Sequence, residues 1–149
     1  MATSTHRWGT PGTYTDGFAA QALKNMANAA VVLSNEIDNS GASSYMHMHL
    51  DFLFRVASAP VAGTVLEVYL IPTVDGTNYA DSTAPIPATQ YLCAFPSRAV
   101  NTAQRVSVLH LTIPRLKFKL AVVNSLGQAL TNTDNENVLS YRMVNAVTE

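Results

Sequence analysis

Between Tyr45 and Val56, Met46, Met48, Leu50, Phe52, Phe54 and Val56 alternate with Tyr45, His47, His49, Asp51, Leu53 and Arg55. Successive side chains point to opposite sides only on an extended strand, so this stretch predicts a strand with one core face and one face turned to water or a partner. No helix accommodates a period of two. The same reading applies to Leu66, Val68 and Leu70 against Glu67 and Tyr69, ending at Pro72, and predicts a second strand antiparallel to the first across a short loop containing Pro60 and Gly63.

Further strands are expected at about Tyr91 to Phe95, Gln104 to Ile113, Lys117 to Val123 and Val138 to Val144, punctuated by Pro96, Pro114 and Gly127. Many short strands at this spacing make an all-β, antiparallel two-sheet sandwich. The loop Asp75 to Asp81, continued through Pro85-Ile86-Pro87, exceeds a tight hairpin and is expected to carry the chain to the other sheet. Phe18 to Leu33 is mixed: Ala19, Leu23, Ala27 and Ala30 recur at helical spacing, while Val31-Val32 favour a strand from about Ala29. The segment to Gly17 contains Gly9, Pro11 and Gly12 among threonines and reads as an extended N-terminal arm, residues 1–17, ahead of a sandwich domain, residues 18–149.

Gln104 to Ile113 breaks the one-sided pattern. In a regular strand Val106 and Val108 share one face while Leu109, Leu111 and Ile113 share the other, which implies burial on both sides, by the opposing sheet and by something outside.

Only 13% of residues are charged, against roughly 25% in an average soluble domain, so Ser, Thr, Asn and Ala must cover much of the surface. The net charge of -1 and scattered Lys and Arg offer no field for a polyphosphate, which argues against a nucleic-acid partner. No apolar run approaches the ~20 residues of a membrane span, and the first residues lack the apolar segment of a signal peptide. Synthesis and folding in a cytoplasm are the expectation.

The search for chemistry returns structural readings. His47 and His49 project to one side of a strand, with Asp51 beyond them, yet zinc takes three or four ligands and neither His6 nor His110 has a readable relation to this face. Solvated or interfacial histidines are expected, and no metal or other cofactor. Asp75, Asn78 and Asp81 lack EF-hand spacing and read as turn formers. Cys93 reads as a small buried residue. No nucleophile elbow, Cys/His pair or phosphate-binding glycine loop is present, so no enzyme is expected. The candidate interface residues are Trp8 and Tyr14, aromatics on a polar arm; His47 and His49; and Arg115, Lys117 and Lys119, a basic group at spacing two that suits an acidic protein surface. Tyr69, Tyr79 and Tyr91 are the candidates for stacking on a sugar.

The run Val68-Tyr69-Leu70-Ile71-Pro72-Thr73-Val74-Asp75-Gly76-Thr77-Asn78-Tyr79-Ala80-Asp81, then Phe95-Pro96-Ser97-Arg98-Ala99 with Thr102-Ala103-Gln104-Arg105, and Lys117-Phe118-Lys119 with Val123-Asn124-Ser125-Leu126-Gly127-Gln128-Ala129-Leu130 resembles small virion structural proteins of tailed bacteriophages. The likeness covers roughly Leu33 to Arg142. It implies a jelly-roll or related sandwich on the outer capsid surface, a decoration or cement protein whose partners are the major capsid protein and copies of itself, as dimer or trimer. A tail or baseplate component and a carbohydrate-binding host-recognition module are the competing roles.

Overall fold

The computed structural model describes residues 6–8, 13–42 and 44–148, and its regular elements are strands with one 3₁₀ turn, Ala88–Gln90. The strands are β1 (His6–Trp8), β2 (Thr15–Asp16), β3 (Val31–Leu33), β4 (Ile37–Asp38), β5 (His47–Phe54), β6 (Val65–Thr73), β7 (Tyr91–Pro96), β8 (Gln104–Thr112), β9 (Lys117–Ser125), β10 (Val138–Val144) and β11 (Ala146–Thr148). Among the described residues no helix is long and apolar enough to cross a membrane.

One sheet runs β2-β10-β5-β8 and the other β3-β9-β6-β7, with β4 also on β9; β1 and β11 form a separate ribbon. The pairs nest: β2 with β10, β3 with β9, β5 with β8, and β6 with β7, all antiparallel and alternating between the sheets. Nested pairs of this kind are a long hairpin rolled on itself, the jelly-roll plan. Among the strands of the nested pairs every connection changes sheet except the hairpin's tip, β6 to β7, and β4 follows β3 on the same partner, β9.

Two expected connections are therefore corrected. β5 and β6 do not pair but lie in opposite sheets, so the Pro60 and Gly63 connection is a crossing. The long loop after Thr73 returns to the same sheet, where β7 pairs with β6. Its length serves another purpose. The loop folds back over the outer face, where Ile86 is buried with Ile71 and Ala121, and Tyr69, Tyr79 and Ala80 pack against them. Pro72 sits inside β6 rather than ending it. Its carbonyl accepts from Ala80 N on the loop side, and because a residue's N and O point the same way in a strand, the missing N–H faces a place that β7 does not reach.

The core lies between the sheets. β5 alternates as expected, with Met48, Leu50, Phe52 and Phe54 fully buried. The Phe52 ring meets those of Phe54 and Phe95 edge-on, both with centroids 5.4 Å away. Met46 departs from the pattern and is 59% exposed, because the ladder ends there and the Asn145 side chain accepts from its N–H at 2.7 Å. Phe18, Leu23 and Met26 close one end of the core from turns rather than a helix. Left-handed backbone at Gln21, Asn25 and Ala29 interrupts any helical path and delays β3 to Val31.

Asn124 is fully buried and joins three segments. Its amide donates to Met26 O at 3.0 Å and Gln128 O at 2.9 Å, and its Oδ1 accepts from Leu126 N at 3.0 Å. The arm ends in the fold, since Thr15 and Asp16 pair with Tyr141 and Ser140 and Gly17 N donates to Leu139 O at 3.1 Å.

The two-faced reading of β8 is also corrected. Opposite β8, Leu50 pairs with Val108 but Met48 pairs with Leu111, so Leu109 and His110 together oppose His49. His110, at φ 59°, is the left-handed residue of this bulge. The extra residue returns the next side chains to the first face: Val106, Val108 and Leu111 pack on the core, and Ile113 is buried. Only Leu109 remains outside, 55% exposed.

Candidate functional site

The sandwich has two outer faces, and they differ. On the five-stranded sheet, the loop after β6 is held down by charge. Lys117 Nζ lies 2.9 Å from Glu36, the Tyr79 hydroxyl donates to Glu36, and Lys119 Nζ sits 4.4 Å from the centre of the Tyr79 ring. The Tyr79 bond lowers the Glu36 carboxyl, with Lys117 adding to it, while Glu36 pushes the Tyr79 hydroxyl up to about 12 and raises Lys117. Within the loop Asp75 accepts from Thr77 N at 2.8 Å and from Asn78 N and Nδ2, both at 2.7 Å; these bonds hold its carboxyl far below the usual carboxylate range.

Lys117 and Lys119 therefore secure the loop that covers their own sheet. Arg115 does not extend their row, because β9 begins only at Lys117 and Arg115 lies exposed in the preceding turn. The rings of Tyr69 and Tyr91 do converge, with centroids 5.6 Å apart, but at 81° to one another they share no flat platform. Tyr91 remains 48% exposed.

The four-stranded sheet presents a polar outer face. β5 contributes His47, His49 and Asp51; β10 contributes Ser140 and Arg142; β8 contributes Arg105, Ser107, Leu109 and His110. Tyr14, leading into β2, carries Arg142 over its ring, 4.9 Å from the centroid. The bulge brings His110 among the other histidines, its ring centroid 4.8 Å from His49 and 6.4 Å from His47, edge-on to both. Asp51 accepts from Ser107 Oγ at 2.6 Å and pairs with Arg105 at 3.5 Å. Asp16 accepts from Ser140 Oγ at 2.7 Å. Burial lowers the His49 imidazole, and the nearby His110, Arg142 and His47 lower it further.

Thus Tyr14, His47 and His49 meet on one face, whereas Lys117 and Lys119 lie on the opposite sheet. Trp8 is on β1, paired with Ala146, and its side chain lies outside the described residues. His110 and Arg142 are the members of this cluster that spacing alone missed. Arg142 joins it through the pairing of β10 with β5, which sets it opposite His49, and His110 joins it through the bulge. Among the described residues no three His, Cys, Asp or Glu side chains converge closely enough to hold a metal ion. Cys93 is buried, and burial pushes its thiol up to about 12. No protein-family model matches this sequence, and no curated protein matches it.

Proposed function

We propose that this chain is a non-enzymatic structural protein of a phage virion, a capsid decoration protein that bridges major capsid subunits on the outer surface of the shell. The observation that carries this reading is an asymmetry of the sandwich. One sheet is roofed by the protein's own loop, while among the described residues the other presents a polar face bearing Tyr14, Arg142 and the exposed Leu109. A jelly roll with that division offers one side to a neighbour. The segment entering β2 runs along the edge of this face, so arm and face can contact the same neighbour.

A standard protein interface buries roughly 800 Å² on each partner. Repeated by symmetry over a shell, modest contacts of that order sum to substantial resistance to expansion. Deleting residues 1–12 spares the β2 pairing and is expected to leave a folded protein that no longer binds shells in co-sedimentation. A truncated protein that binds as tightly as the full chain refutes the role of the arm. Cryo-electron microscopy of virions tests the location: many copies over the shell fit decoration, and rings of low copy number fit a tail component.

A further inference from the structure

We propose that the segment from Val74 to Pro87 is a strap that opens as a unit while the sandwich stays folded, with Ile86 as its anchor and Tyr79 as its latch, and that its opening uncovers an apolar patch on the five-stranded sheet. The strap's behaviour is independent of whether the chain decorates shells.

The segment is held to the sandwich at few points. From Val74 to Pro87 every residue except Ile86 is exposed or half-buried, and Ile86 packs with Ile71 of β6 and Ala121 of β9 in a cluster separate from the main core. Among the described residues the bonds that tie the segment to the sandwich run from Ala80 N to Pro72 O at 3.0 Å and from the Tyr79 hydroxyl to Glu36, with Lys119 Nζ over the Tyr79 ring. At the two ends, Thr73 Oγ1 donates to Asp75 at 3.0 Å and Gln90 N donates to Pro87 O at 2.9 Å. The remaining bonds are internal. Asp75 accepts from Thr77 N and from Asn78 N and Nδ2, and Asp81 accepts from Thr83 N at 2.8 Å. These turns travel with the segment when it lifts, so opening breaks the Ala80 and Tyr79 bonds and the Lys119 contact and leaves every strand ladder whole. An opening that disturbs so little lies well below global unfolding in free energy.

The surface beneath the strap is apolar. Ile71 and Ala121 are buried there, and Val31, Val123 and Tyr69 are partly buried around them. The ladder of β6 with β9 takes no residue from the strap and survives its departure. Keeping Ile71, Ala121 and Ile86 from water favours closure, while the freedom regained by an exposed backbone favours opening. The latch tips this balance. Glu36 lies between β3 and β4, both paired with β9, and Lys117 Nζ at 2.9 Å fixes its carboxylate where the Tyr79 hydroxyl arrives.

Native-state hydrogen exchange of the full chain, followed by NMR, tests the strap. Ala80 N reports its opening, and Leu130 N, which donates to Met26 O at 3.0 Å in the main core, reports global unfolding. Ala80 is expected to exchange more than about tenfold faster than Leu130, yet more slowly than an unstructured peptide, with little response to low urea where Leu130 responds steeply. Tyr79→Phe removes the latch bond and should speed Ala80 roughly fivefold, about the worth of one hydrogen bond. Ile86→Ala loosens the anchor and should speed it more than about tenfold. Leu139→Ala, in the core far from the strap, destabilises closed and open forms alike; it should speed Leu130 more than about thirtyfold and leave Ala80 at its parent rate. Low urea makes the same comparison without a mutation. The inference is overturned if Ala80 is unprotected in the parent, if urea or Leu139→Ala speeds Ala80 as much as Leu130, or if neither Tyr79→Phe nor Ile86→Ala changes the Ala80 rate.

Discussion

Deleting His110 is expected to leave the fold intact. In the bulge, Leu109 and His110 together oppose His49, and Leu111 resumes the pairing with Met48. Removing His110 makes the strand regular, with Leu109 opposite His49, while Leu111 and Ile113 keep their inward directions. The deletion relieves a left-handed backbone at φ 59°, a strain of roughly 1–2 kcal/mol for a residue with a Cβ. Against that stands the loss of edge-on ring contacts on a polar face, about 0.5–1.5 kcal/mol. The net change lies between about 0.5 kcal/mol destabilising and about 1.5 kcal/mol stabilising, on the stabilising side if the ring contacts are weak.

If β8 were instead regular and apolar on both faces, the deletion would exchange Leu111 and Ile113 with Thr112 and Pro114. Moving two aliphatic side chains out of their sites would then cost about 1.5–3 kcal/mol each. Urea unfolding followed by far-UV circular dichroism separates the outcomes. A midpoint loss equivalent to more than about 2 kcal/mol at unchanged slope refutes the bulge argument. As a control, His110→Val keeps the extra residue and forces a β-branched side chain into the left-handed region, so it is expected to cost about 1–2 kcal/mol.

Asn124→Leu removes three hydrogen bonds from a fully buried site and strands Met26 O, Gln128 O and Leu126 N; urea unfolding should show a loss of roughly 3–5 kcal/mol, and a loss below about 1 kcal/mol contradicts it. Cys93 should resist a thiol reagent at neutral pH in the native protein and react at once in denaturant, since burial pushes its thiol up to about 12; fast native labelling counts against the packing described. Stability should fall as the pH drops below the unfolded carboxylate range, about 4. The folded carboxyls of Glu36, Asp75 and Glu136 are all held low, so the unfolded chain takes up protons first, and Glu36→Gln with Glu136→Gln should flatten that acid limb of the melting curve.

The strands with one apolar face were legible because period two is local. Tyr45 to Val56, Lys117 to Val123 and Val138 to Val144 each declare their faces within a few residues. The all-β sandwich follows from them. Strand order is a different kind of fact. Nothing local distinguishes a loop that crosses between sheets from one that stays, so the Pro60 and Gly63 connection and the longer loop after Thr73 read in reverse. The length of the second loop reflected the apolar outer residues Ile71 and Ala121, which required a cover.

For the candidate face, His47 and His49 were readable as neighbours because they share a strand and a side. His110 was not, because a bulge breaks the parity from which its direction would be inferred, and a bulge is set by what the partner strand demands. Lys117 and Lys119 carried the right charge for an interface, but Glu36 and Tyr79, distant in sequence, hold them against the opposite sheet. Arg142 looked like ordinary polar alternation until β10 lay beside β5. The sequence by itself determined which segments extend and which side of each is apolar, since both depend on near neighbours along the chain. Only the tertiary structure decided which outer face the loop after β6 roofs, because that depends on contacts between residues dozens of positions apart.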